Sequence, residues 1–229
     1  MIPTPTVVFD LDGTLVDTAP DLVASLNEVF GRAGLPPVAF AQARNMVGGG
    51  ARVLIERGLR AEGRAPGEAA IEPLYRQFIE HYAGHIVDRS RPFPGVETAL
   101  DELESAGCRL AVCTNKLEWL SVRLLDALGL KDRFLAICGA DTFGVAKPDP
   151  AILRGTVARA GGRAEQAVMV GDSATDVLVA RAARIPVIAV DFGYSETPVA
   201  QLTPDRLLSG FGALPDTVFA LHATQKTEL

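Results

Sequence analysis

The stretch Thr6-Val7-Val8-Phe9-Asp10-Leu11-Asp12-Gly13-Thr14-Leu15-Val16-Asp17-Thr18 runs four β-prone residues straight into two acids two positions apart. β-branched and aromatic residues favour strands and acids disfavour them, so residues 6–9 read as a strand that stops at Asp10. Residues two apart on an extended chain point to the same side, which lets Asp10 and Asp12 face one site. Two like charges held that close need a reason, and a cation-dependent site at the strand end is one.

The rest of the chain says what kind of sheet this strand joins. From Pro20 to about residue 82 only helical patterns occur. Leu22, Leu26, Val29 and Phe30 share one helical face, and residues 51–59 and 68–81 read as further helices. The segment Arg91-Pro92-Phe93-Pro94-Gly95 is a turn-rich joint. Beyond it, predicted helices 96–106, 118–128, 150–160 and 175–183 alternate with predicted strands 109–113, 134–138, 167–170 and 186–190. The strands are short continuous apolar runs, as expected when both faces are covered. The fold class is therefore α/β: a Rossmann-like open parallel sheet, residues 1–17 and 92–229, interrupted by an α-helical insertion, residues 18–91.

Composition narrows the function. The chain has 229 residues, 48% hydrophobic, with a net charge of −6 and its Lys and Arg scattered. That argues against nucleic acid or an acidic membrane surface as the partner. Cys108, Cys113 and Cys138 have no metal-ligand spacing and read as small core residues of a reducing compartment. No basic segment followed by an apolar stretch opens the chain, and no apolar run is long enough to span a bilayer. The expectation is a soluble cytoplasmic protein, monomer or homodimer.

Ligands of open parallel sheets bind outside the carboxyl ends of the strands. Reading those ends in turn gives Asp10 and Asp12, then Thr114 and Asn115, then Lys147 with Pro148, then Gly171-Asp172-Ser173 and Asp176. An acid after a strand is often only a helix cap, but four strand ends here deliver matched chemistry. Clustered carboxylates suit a hard divalent ion such as Mg²⁺. A threonine, a lysine and turn amides suit a phosphoryl group. Gly13 allows the sharp turn after Asp12.

These four segments, in order, resemble the four motifs of the haloacid dehalogenase-like hydrolase superfamily, and the resemblance covers essentially the whole chain. It implies a phosphoric monoester hydrolase with the helical insertion as a cap. It further implies that Asp10 is the nucleophile and forms an aspartyl-phosphate, and that Asp12 is the general acid and base. By the same resemblance Mg²⁺ is held by the carboxylates of Asp10 and Asp172 and the backbone carbonyl of Asp12. Thr114, Asn115 and Lys147 bind the phosphoryl oxygens, and Asp176 supports the metal site or orients Lys147. The dehalogenases of the superfamily lack the second acid, which is present here as Asp12. Its phosphonate-cleaving and sugar-phosphate mutase members use a cap lysine, whereas the four lysines here, at 116, 131, 147 and 226, all lie outside the cap.

Within the insertion, Arg44-Asn45-Met46-Val47-Gly48-Gly49-Gly50-Ala51-Arg52 resembles the glycine-rich cap loop of bacterial phosphoglycolate phosphatases. Gly48, Gly49, Gly50 and Arg52 are therefore candidate contacts for a substrate carboxylate, the alternative being a plain helix–helix turn. The small-molecule substrate is then 2-phosphoglycolate, with a sugar, nucleotide or pyridoxal phosphate as alternatives. A non-turnover phospho-aspartate regulator is the alternative from a different class. His81 and His85, four apart, have the spacing of a transition-metal chelate but no third ligand in the sequence. Trp119 and Cys113 read as packing residues.

Overall fold

Both faces of the first strand are buried. Val7 and Phe9 point to one side and Val8 to the other, and all three are fully shielded from solvent. A strand of this kind needs helices on both faces and paired strands on both edges, and β1 (Thr6–Phe9) has both. In the computed structural model, which describes residues 4–64 and 67–225, β1 lies at the heart of a six-stranded sheet. It pairs in parallel with β4 (Arg109–Cys113) on one side and β6 (Ala167–Gly171) on the other. β5 (Ala136–Cys138) extends the sheet beyond β4, while β7 (Val187–Val190) and β8 (Arg206–Leu208) extend it beyond β6, giving the order β5-β4-β1-β6-β7-β8. All five pairings are parallel. The chain leaves β1 toward β4 and returns later to its other edge as β6, so the topological switch point lies between β1 and β6.

Helices α5 (Val96–Ser105), α6 (Glu118–Ala127), α7 (Pro150–Arg159), α8 (Ala174–Ala183) and α9 (Leu214–Gln225) accompany the sheet. Two apolar clusters mark its faces. One gathers Val8, Ala111, Cys113 and Met169 with α7 and α8. The other gathers Val7, Phe9, Val112 and Val170, and runs on without a break into Leu26, Ile55 and Phe78 of the helices that follow β1.

Those helices are α1 (Ala19–Arg32), α2 (Phe40–Arg44), α3 (Ala51–Ala61) and α4 (Glu68–Gly84). The predicted face of α1 is the buried one: Leu22, Leu26, Val29 and Phe30 are all in the core. Pro20 sits in its first turn, where a missing N–H costs nothing. The chain leaves and re-enters the sheet unit through a short antiparallel ribbon that sequence pattern did not reveal. In it β2 (Val16–Asp17) pairs with β3 (Arg91–Pro92). Beside the ribbon, Asp21 is buried and receives four hydrogen bonds from the returning chain: Arg89 N–H at 3.1 and 3.0 Å, Ser90 N–H at 2.8 Å and Ser90 Oγ at 2.7 Å. Helix α1 is thereby fastened to the exit of the insertion.

Other departures from the sequence pattern are local. The strand expected over 134–138 begins at Ala136, because residues 131–133 form a 3₁₀ turn that Phe134 closes. Pro186 lies outside β7 and contributes only its carbonyl, to the Met169 N–H at 2.9 Å. β8 completes the far edge after a loop whose mixed polarity hides the strand, and α9 packs beside α5 and β6. Among the described residues no helix is long and apolar enough to cross a membrane.

Replacing Asp21 with alanine leaves the Arg89 and Ser90 donors buried without partners. We expect Asp21→Ala to lower the unfolding free energy by about 2–4 kcal/mol. Urea titration would show this as a lower midpoint with little change in slope.

Candidate active site

The carboxyl ends of β1 and β6 bring three acids together. Asp10, Asp172 and Asp176 are all buried, and each offers a carboxylate oxygen within 4.8 Å of the others. A single cation, Lys147, sits among them, 2.9 Å from Asp10 Oδ1 and donating to Asp176 Oδ1 at 2.6 Å. Three acids against one lysine leave two negative charges in a dry pocket, which is the deficit a divalent ion removes. The donor set is all oxygen, which suits Mg²⁺ and not a soft metal.

Electrostatics record the crowding. Burial, reinforced by Asp176, pushes the Asp10 carboxyl up to about 8, even though Lys147 works the other way. Burial and Asp176 likewise push Asp172 up to about 7. Lys147 is driven well above its ordinary value: burial opposes its charge, but Asp10 and Asp176 outweigh burial.

Each member of the trio is held differently. Asp10 Oδ1 accepts from the Leu11 N–H at 2.7 Å, and no hydrogen bond reaches its Oδ2 among the described residues. Asp172 Oδ1 accepts from Thr14 Oγ1, and its Oδ2 from the Tyr194 N–H, both at 2.7 Å. Asp176 is the N3 partner of Ser173 in a capping box that opens α8, and its Oδ2 also accepts from the Asp172 N–H at 3.2 Å. Asp176 is thus tied to its own helix and to Lys147. The expected glycine at position 13 is needed twice over: its φ is +87°, and a Cβ there would come within 2.8 Å of the Tyr194 ring and strike the Asp172 carboxylate.

Asp12 keeps different company. It lies past the end of β1, in a turn, so the two-residue alternation of a strand no longer governs it, and its carboxylate is not in the trio. Its Oδ1 accepts from Thr18 Oγ1 at 2.7 Å, and both its oxygens accept from Lys116 Nζ, at 2.9 and 2.8 Å. Lys116 is buried and stands over the Tyr82 ring, 4.7 Å from its centroid. Sequence reasoning passed over Lys116. The available signal was its rarity, one of four lysines, and its position directly after Thr114-Asn115.

The structure puts Thr114 at the end of β4, buried, its Oγ1 accepting from the Lys116 N–H at 3.2 Å. Asn115 ties three segments together. Its Oδ1 accepts from the Lys147 N–H at 2.9 Å, and its Nδ2 donates to the Lys147 and Gly48 carbonyls, each at 3.3 Å. A cavity of about 190 Å³ is walled by Asp12, Asn115 and Lys116 from the sheet side and by Gly48, Gly49 and Gly50 from the insertion. Arg52 lines the same cavity, but its guanidinium is paired with Glu68 and Glu72 and lies over the Tyr75 ring. Two other arginines of the insertion reach the sheet unit: Arg44 donates to the Phe192 carbonyl at 2.9 Å and stands over the Tyr194 ring, and Arg57 lies 3.6 Å from Glu196.

His81 and His85 stack at 4.1 Å, with His81 Nδ1 bonded to Ser25 Oγ and His85 Nδ1 to the His81 carbonyl. No third ligand joins them among the described residues. Cys113 is a core residue whose thiol burial pushes up to about 12, which makes it a poor nucleophile. Trp119, expected as a packing residue, is instead exposed and stands outside both apolar clusters, because it lies on the outer face of α6.

Comparison with known proteins follows this geometry. The family model described as haloacid dehalogenase-like hydrolase matches residues 7–190. The chain is similar to the phosphoglycolate phosphatase of Agrobacterium fabrum, 48% identical over 215 residues covering 94% of this chain and 92% of the relative. It is similar to that of Mesorhizobium japonicum, 50% identical over 210 residues covering 92% of each. A crystal structure described as a predicted phosphoglycolate phosphatase from Haemophilus somnus superposes with a TM-score of 0.86 at 30% identity, over 93% of this chain and 97% of that one.

The raised carboxyls of Asp10 and Asp172 carry a stability consequence. Between the ordinary aspartate value of 3.8 and about 8, the folded protein holds protons that the unfolded chain has released. Stability without metal therefore falls as pH climbs through that window, while Lys147, charged in both states there, adds no slope. With EDTA we expect the melting temperature to drop by at least about 2 °C between pH 5 and pH 8. Added Mg²⁺ should recover the loss at the upper end, as scanning calorimetry would show.

Proposed function

The chain belongs to the haloacid dehalogenase-like hydrolase family and is a phosphatase of the phosphoglycolate phosphatase-like kind, and on that premise we propose that it hydrolyses 2-phosphoglycolate to glycolate and phosphate through an aspartyl-phosphate on Asp10. The observation that carries the reading is the buried Asp10–Asp172–Asp176 trio with Lys147, set at the switch point of the sheet beside a cavity that the glycine-rich loop helps to wall.

Mg²⁺ would be held by the carboxylates of Asp10 and Asp172 and the backbone carbonyl of Asp12. When bound, it neutralises the trio and polarises the phosphoryl oxygens. Asp10 attacks phosphorus with Oδ2, the oxygen free of hydrogen bonds among the described residues, and the bond to the leaving oxygen breaks. Asp12 hands that oxygen its proton, then takes one from the water that attacks the aspartyl-phosphate, restoring the Asp10 carboxylate. Thr18 and Lys116 fix the Asp12 carboxylate for both transfers. Lys147 and Thr114, with the Asn115 amide, receive the phosphoryl oxygens, and Asp176 orients Lys147.

Residues 18–91 form the cap over a core of residues 1–17 and 92–229. The exit and return of the chain through the β2–β3 ribbon support that division. A substrate of few atoms is favoured by the cavity volume, about 190 Å³, against the roughly 300–1,000 Å³ that enclose drug-sized ligands. Turnover is favoured over a phospho-aspartate switch by Asp12, a buried acid with two ordered partners, because a switch needs no proton for a leaving group. Three free, buried cysteines support a reducing, cytoplasmic setting.

Phosphate release should be measured on 2-phosphoglycolate, sugar phosphates, nucleoside monophosphates and pyridoxal phosphate, with Mg²⁺ and then with EDTA. We expect preference for 2-phosphoglycolate and loss of activity in EDTA. Asp10→Asn should lower kcat by at least about 10³-fold while the protein stays folded. Turnover on the other esters alone would remove the substrate assignment. No turnover on any of them would remove the hydrolytic one.

A further inference from the structure

Among the residues that line the cavity is one whose buried polar group has no partner among the described residues. Tyr82, in the last turns of α4, is 1% exposed, and its hydroxyl has no hydrogen-bond partner among the described residues. Leaving such a group unmatched costs about 1–3 kcal/mol, so an occupant that satisfies it gains that much in return. Tyr82 lines the same cavity as Asp12, Lys116 and Gly50. Its ring packs on Phe78 at 5.9 Å between centroids, which fixes where the hydroxyl lies.

Two positive features meet the same space. Lys116 directs two N–H groups to Asp12 and stands over the Tyr82 ring, so one of its three donors is not committed to a carboxylate. Helix α3, eleven residues long, opens at Gly50 with no side-chain cap, and Gly50, Ala51 and Arg52 line the cavity. The positive end of α3 is thus turned toward it. Arg52, spent on Glu68 and Glu72, adds little net charge.

We infer that Tyr82 and Lys116, with the first turn of α3, form the subsite that receives a carboxylate on the non-phosphate end of the substrate, and so set the enzyme's preference for acid-bearing phosphomonoesters. The inference rests on the phosphatase reading above and deepens it. Asp12 is joined to Lys116, lines the same cavity and is two residues from the proposed nucleophile Asp10 in the chain, so a short phosphate–carboxylate molecule could reach both ends of the site. A carboxylate is the favoured occupant over a hydroxyl, because it accepts from the Tyr82 O–H, Lys116 N–H and backbone N–H groups at once, and all of these are donors.

The test compares kcat/KM with Mg²⁺ for 2-phosphoglycolate, 2-phospholactate, 3-phosphoglycerate and ethyl phosphate, the last carrying the same phosphoryl group on an uncharged alcohol. Wild type, Tyr82→Phe and Lys116→Gln are assayed. Tyr82→Phe removes one oxygen and keeps the ring on Phe78, so it isolates the hydroxyl. The ratio of kcat/KM for the preferred acid ester to that for ethyl phosphate should fall at least about 10-fold in Tyr82→Phe, the effect of losing a hydrogen bond to a charged group, and most of the change should be in KM. Lys116→Gln should lower the same ratio. If wild type prefers 2-phosphoglycolate and the ratio in Tyr82→Phe stays within about twofold of wild type, the subsite is wrong and the substrate assignment stands. If wild type prefers a different acid ester and Tyr82→Phe removes that preference, the subsite stands and 2-phosphoglycolate falls. If wild type handles ethyl phosphate as well as any acid ester, both fall.

Discussion

Three carboxylates crowded at the ends of two adjacent strands set the terms for everything around them. At an effective dielectric of about 20, two unit charges at the separation seen among Asp10, Asp172 and Asp176 repel by about 3 kcal/mol. Burial adds to this by stripping water from each. The fold answers with fixed donors. Lys147 lies between two of the acids, the Leu11 and Tyr194 amides and the Thr14 hydroxyl point at carboxylate oxygens, and Asp176 is held in the capping box that opens α8. The space this leaves is so small that Gly13, Gly171 and Gly193 would each drive a Cβ into an acid of the trio. What remains after these compensations is a charge deficit, and that deficit is the physical case for a divalent ion.

In the proposed mechanism the two acids of the opening motif divide the labour, because the chain turns between them. Asp10 stays in line with β1 and enters the trio. Asp12, beyond the strand, swings to Thr18 and Lys116. A nucleophile must stay ionised and face phosphorus, whereas a proton carrier must face the leaving oxygen. Separate partners keep the two from competing. Lys116 joins Asp12, the proposed proton carrier, to the Tyr82 ring, so the two groups of the proposal share one ammonium.

Several polar contacts join the helical insertion to the sheet unit near the cavity. Asn115 reaches the Gly48 carbonyl, Arg44 reaches the Phe192 carbonyl and covers the Tyr194 ring, and the Tyr194 hydroxyl accepts from the Ala19 N–H. Tyr194 also holds Asp172 through its amide. The position of the insertion is therefore sensed one residue away from the acid cluster. Behind these contacts the apolar cluster is continuous from Phe9 to Phe78, which limits how far the insertion can separate as a body.

The sequence by itself determined the sheet and its chemistry. Apolar runs alternating with helical periods require a parallel sheet, and such a sheet lines up the residues after its strands, so Asp10, Lys147, Asp172 and Asp176 could be assembled from their positions alone. It also marked the glycine-rich turn at 48–50. What only the tertiary structure decided is which side chains point where once the chain leaves regular structure. Strand alternation put Asp12 beside Asp10, but the turn after Phe9 breaks that period. Arg52 looked like a free cation, yet α4 brings Glu68 and Glu72 against it. Lys116 and Tyr82 lie thirty-four positions apart and carry no local pattern that joins them. Their meeting depends on how α4 packs over the end of β4, and long-range packing of that kind leaves no periodic trace in a sequence.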